Sequence, residues 1–94
     1  MAFASRHDRV ALEELKTLRG ADRTSITRVI RDQLTHEPTA RTRRKKEIIR
    51  ETGERVWQLT MGEYRVFYDV EMARREVVIR RVRHKGRRRT EGIL

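Results

Sequence analysis

The chain has 94 residues, with 24 Lys and Arg against 14 Asp and Glu and a formal net charge of +10. That length holds one domain, read as residues 1–94, and one modest core. It contains no Cys, which excludes a disulfide framework and a Cys-based zinc site. No apolar run approaches the ~18 residues of a membrane span and no signal-peptide core is visible, so a cytoplasmic location is expected.

Asp8 is placed to cap a first helix over about 9–19, where Ala11, Leu15 and Leu18 form one stripe widened by Leu12. Gly20 is expected to stop it, and Asp22 to cap a second helix running to about His36. There Ile26, Val29, Ile30 and Leu34 repeat the 3.6-residue period, and Pro38 closes the helix. After a basic stretch over 41–46 the period becomes two. Trp57, Leu59 and Met61 alternate with polar neighbours, Gly62-Glu63 reads as a turn, and Tyr64, Val66, Tyr68 and Val70 alternate against Arg65, Phe67 and Asp69. A third strand follows over 76–83, with Val78 and Val82 expected on one face. The residues around Phe3 suggest a short edge strand, and Thr90 a cap for a last turn over 91–94. The expected fold is α+β: a helix hairpin packed on one face of a small antiparallel sheet of three to four strands, with the other face open.

Twelve of the 24 basic residues fall in two stretches: Arg41, Arg43, Arg44, Lys45 and Lys46, then Arg80, Arg81, Arg83, Lys85, Arg87, Arg88 and Arg89. A basic run is commonly a solvated surface. Two runs bracketing one sheet favour a single footprint for a polyanion, RNA or an acidic protein segment. The phosphate-contact candidates are Arg44, Lys45, Lys46, Arg81, Arg83, Lys85 and Arg87. No Gly-rich phosphate loop, nucleophile elbow or carboxylate cluster is present, and His7, His36 and His84 are far apart, so no metal or other cofactor is expected. RNA can still be cut without one. The ribose 2′-OH attacks its own phosphorus once a base takes its proton, an acid protonates the departing 5′-oxygen, and cations steady the phosphorane. His84, Glu47 and Arg65 contain that inventory.

The run from Gly62 to Val70, Gly-Glu-Tyr-Arg-Val-Phe-Tyr-Asp-Val, resembles the Gly-x-Tyr/Phe-Arg-x-x-Tyr strand of the RelE/ParE family of bacterial toxins. The order of helix hairpin, Leu-Thr-His-Glu-Pro-Thr at 34–39, basic loop, Trp57-Gln58-Leu59 and a valine-rich strand ending Arg83-His84-Lys85-Gly86-Arg87 is similar to that family over nearly the whole chain. The resemblance implies a RelE-like fold and an acidic antitoxin partner. It also implies one of two activities: ribosome-dependent mRNA cleavage, or non-catalytic inhibition of DNA gyrase as in ParE-like members. On the RNA-cleaving reading the partners are the ribosome and mRNA, and translation is inhibited. Arg65 then matches the arginine that braces the scissile phosphate, His84 a C-terminal catalytic histidine, Glu47 a glutamate base ten residues before the tryptophan, and Lys85 a second phosphate ligand. Two departures stand out: Val56 and Gln58 replace a lysine pair of RelE-type members, and no Tyr follows Tyr68.

Overall fold

The computed structural model describes residues 2–85. In chain order the elements are β1 (Ala4–His7), α1 (Arg9–Lys16), α2 (Gly20–Leu34), β2 (Lys45–Ile49), β3 (Arg55–Met61), β4 (Tyr64–Glu71) and β5 (Glu76–His84). The fold is α+β as expected, with five strands in place of three or four, in the order β1-β5-β4-β3-β2. β1 pairs parallel to β5 and the other pairings are antiparallel, so the sheet is mixed. The short edge strand expected around Phe3 is β1, and the strand beyond those expected is the other edge, β2, whose charged Lys-Lys-Glu start makes it look like loop in sequence.

Asp8 caps α1, its carboxylate accepting from the Arg9 N–H at 2.8 Å. The helix stops at Lys16, short of the expected 19, because Thr17 closes it with N–H and hydroxyl both donating to the Glu14 carbonyl. Gly20 begins α2 instead of ending α1, and the N-cap is Arg19, which offers no side-chain cap bond. Asp22 falls inside the first turn, where its charge suits the helix N-terminus and accepts the Tyr64 hydroxyl at 3.0 Å. Between β3 and β4, Gly62 has φ 58°, a left-handed conformation that glycine adopts without a Cβ penalty.

The core lies on one side of the sheet. Ala11 and Leu15 of α1, Ile26, Ile30 and Leu34 of α2, and Phe3 pack with Leu59, Val66, Tyr68, Val77, Ile79 and Val82. The Tyr68 ring is fully buried and its hydroxyl donates to the Pro38 carbonyl at 2.6 Å, which burial with a pKa pushed well up accompanies. A bulge between Phe67 and Tyr68 skips Arg80, pairing Phe67 with Arg81 and Tyr68 with Ile79. In consequence Val78 and Val82 do not share a face: Val82 joins the core while Val78 pairs with Asp69 on the other side. Beyond the stretch that β1 covers, β5 is guarded by α1, and the Val82 N–H donates to the Glu14 carboxylate at 2.7 Å.

Candidate functional site

Strand register decides which side chains share the open face. Cross-strand partners point to the same side of a sheet. Leu59, Val66 and Val82 form one inward row with Lys45; the flanking outward rows alternate with it. One outward row runs Thr60, Arg65, Arg83, and Arg44 extends it, because its carbonyl accepts the Thr60 N–H at 2.8 Å. The next outward row is Lys46, Gln58, Phe67 and Arg81. Four strands at a spacing of about 4.8 Å make each row about 14 Å long.

The cations in these rows are not equivalent. Arg81 is held by Glu14, with Nε and Nη2 donating to one carboxylate oxygen at 3.1 and 2.9 Å. Arg80 is held between Asp69 at 2.6 Å and Asp8 at 3.0 Å. Among the described residues no carboxylate lies within 4.0 Å of Arg44, Lys46, Arg65 or Arg83. Arg65 instead donates to the Gly62 and Tyr64 carbonyls, both at 3.1 Å, which anchors it beside the β3–β4 turn with its charge uncompensated. Like charges directly opposite destabilise a sheet. The Arg65–Arg83 pair is thus a cost that an anion would relieve.

The sequence-derived triad is not brought together. Arg65 faces outward, paired with Arg83, while His84 pairs with Tyr64 and packs edge-on against its ring at 4.8 Å between centroids. Its Nε2 is 3.7 Å from Glu63, not beside Glu47. Glu47 lies on β2 opposite Trp57, clamped by Arg41 at 2.8 Å and Arg55 at 3.5 Å. Arg41 also covers the Trp57 ring. Glu47 and His84 therefore stand on the helix side of the sheet and are separated by two intervening strands.

Of the proposed phosphate ligands, Lys45 must be withdrawn: it is 4% exposed, and its ammonium donates to the Gln33 and Glu37 carbonyls at 3.0 and 2.7 Å. Burial pulls its pKa down, opposed by the nearby Glu37. Arg44, Lys46 and Arg83 sit on the open face, with Arg81 there but already paired; Lys85 is exposed just beyond β5. Arg87 and the expected turn over 91–94 lie outside the described residues. Among the described residues no group of three His, Asp or Glu is placed to hold a metal ion, and no helix is long and apolar enough to cross a membrane.

Sequence reasoning missed a trough beside the arginine row, of about 420 Å³, floored by Ile48, Val56 and Phe67 and rimmed by Asp69, Arg80 and Arg81. The alternation of Phe67 with Tyr68 was a visible signal for it. The bulge that turns Arg80 and Arg81 to one side had none.

An α+β fold of two helices against a mixed five-stranded sheet, with a cationic open face, defines a class that solved structures identify. The chain resembles the RelBE2 toxin–antitoxin complex of Mycobacterium tuberculosis, with TM-score 0.77 and 25% identity over 89% of this chain and 99% of that one. It resembles the archaeal RelE–RelB complex of Pyrococcus horikoshii with TM-score 0.72 and 21% identity, over 94% of this chain and 100% of that one. The isolated Escherichia coli RelE toxin matches at TM-score 0.53 and 18% identity, over 98% of this chain and 94% of that one. No family model and no curated protein matches the sequence. The fold is that of the RelE toxins, as the strand motif implied.

Proposed function

We propose that this chain is the toxin of a toxin–antitoxin pair and cleaves mRNA held by the ribosome. The observation that carries this reading is the register pairing of Arg65 with Arg83 on an uncovered sheet face, flanked by Arg44 and Lys46. Two arginines paired across neighbouring strands on one face can direct planar guanidinium forks at the oxygens of a single phosphate. Similarity to RelE toxins and to RelE–RelB complexes supports the toxin and antitoxin assignments. An acidic antitoxin segment would occupy the same field and silence the face by competition.

In the reaction the 2′-oxygen forms a bond to phosphorus and the bond from phosphorus to the 5′-oxygen breaks. Arg65 and Arg83 stabilise the charge gathering on the non-bridging oxygens. No imidazole or unpaired carboxylate stands in their row among the described residues, so the 2′-OH proton passes to solvent and the 5′-oxygen takes its proton from water. Acid–base residues typically supply 10²–10⁴-fold. Alignment of the reacting atoms can supply ~7 kcal/mol or more, and the ribosomal decoding site would provide it. The products are a 2′,3′-cyclic phosphate, or the 3′-phosphate formed from it, and a 5′-OH.

The separation of His84 and Glu47 from Arg65 favours one rival, a binder that inhibits gyrase without cleaving RNA. Primer extension on mRNA from expressing cells distinguishes the two. The RNase reading expects new 5′ ends within translated frames, lost when initiation is blocked. Intact transcripts together with trapped, cleaved DNA in gyrase complexes would transfer the assignment to the rival.

A further inference from the structure

We infer that the trough beside the arginine row is a nucleobase seat, in which Phe67 stacks on one base of an RNA strand while Arg65 and Arg83 hold the adjoining phosphate. This rests on the reading of the open face as an RNA face and adds to it a contact with the base. A surface that served only a phosphate chain would need charge alone. This one has an apolar floor drawn from three neighbouring strands: Ile48 and Phe67 are half-buried and Val56 is 7% exposed. Val10 of α1, 45% exposed, adds a further apolar side chain to the lining. At about 420 Å³ the trough is within the size range of small-molecule sites.

The rim suits a base as well as the floor does. The bulge brings both Arg80 and Arg81 to the lining of the trough. Both are fixed in advance, Arg80 by Asp8 and Asp69 and Arg81 by Glu14, so little side-chain freedom is lost when a ligand arrives. Arg81 is the direct cross-strand neighbour of Phe67, and both side chains line the trough. Phe67 is two residues along β4 from Arg65, about 7 Å. A base and its own phosphate can span that separation within one nucleotide. Single-stranded RNA is commonly held in this way, with bases stacked on aromatic rings and guanidinium planes.

The test uses the full-length protein and non-cleavable 2′-O-methyl RNA hexamers at low salt, each carrying 2-aminopurine or an abasic site at one position. Stacking on one aromatic ring is worth ~1–3 kcal/mol, or about 5- to 150-fold in affinity. One position should show quenched fluorescence, and its abasic version should bind wild type about tenfold more weakly. Phe67→Leu should bind the intact and abasic hexamers alike, and Arg65→Ala should weaken both. Equal binding of intact and abasic hexamers by wild type would overturn the base seat and leave the phosphate face standing. Failure of every hexamer to bind would overturn both, and the wild-type abasic series needs no variant to fold.

Discussion

Lys45 shows how one side chain changes meaning between sequence and structure. It sits in a basic run, yet its ammonium is buried and donates to two carbonyls at the end of α2 and in the loop that follows. Its work is to tie the last turn of α2 to the loop after it, donating to the Gln33 carbonyl and to the Glu37 carbonyl that also accepts the Ala40 N–H. Lys45→Met keeps most of the stem and removes the donor, so urea unfolding should show a loss of about 2 kcal/mol. RNA affinity should keep its salt slope, because no phosphate contact has been removed; a slope reduced by about one charge would return Lys45 to the interface. His84 carries the complementary lesson. Its neighbour in sequence is Arg83, but its neighbours in space are Tyr64 and Glu63. His84→Ala should therefore leave single-turnover cleavage within about tenfold of wild type.

At the scale of elements, apolar period made both helices and the three central strands legible, and the turn at Gly62 with them. Of the two edges, β1 answers to the short strand expected around Phe3, whereas β2 was not legible. β2 reads Lys-Lys-Glu-Ile-Ile, and only pairing with β3 reveals that its first lysine points inward. The face of His84 was available in principle: Val82 lies inward, so the residue two further on shares its side and Arg83 does not. Glu47 offers no such signal, because Lys-Lys-Glu-Ile-Ile has no alternation of apolar and polar residues. The bulge at Phe67 and Tyr68 broke the parity of β5 and could not be read from alternation alone. β1 adds a pH dependence to the fold. Burial holds the His7 pKa below its ordinary value, and its Nε2 is buried with no hydrogen-bond partner. The unfolded chain then takes up a proton more readily than the folded one. Stability is whole above the unfolded value of ~6.5 and falls as pH drops below it, until the folded His7 is itself protonated. Thermal melts between pH 7 and 5 should show that loss in wild type and a smaller one in His7→Gln. β4 and β5 carry a cost of the opposite kind, two arginines face to face. Arg83→Thr should raise stability by a few tenths of a kcal/mol, up to about 1, while cleavage slows by ~10²–10³.

For the molecule as a whole, the separation of faces is the organising fact. Helices and core occupy one side of the sheet, and the other side displays cations of which some are already paired and some are not. A net charge of +10 draws in any polyanion, but the uncompensated row of Arg44, Arg65 and Arg83 gives that attraction a place to settle. The central claim is that Arg65 and Arg83 act together on one phosphate. The most direct measurement is a double-mutant cycle on single-turnover cleavage of mRNA in ribosome complexes, using wild type, Arg65→Ala, Arg83→Ala and the double variant. Each single change should cost ~10²–10³ in rate, and the double variant should be little worse than either, because the two donors act as a unit. Rates that fall independently and multiply, or that stay near wild type in folded single variants, would contradict the account.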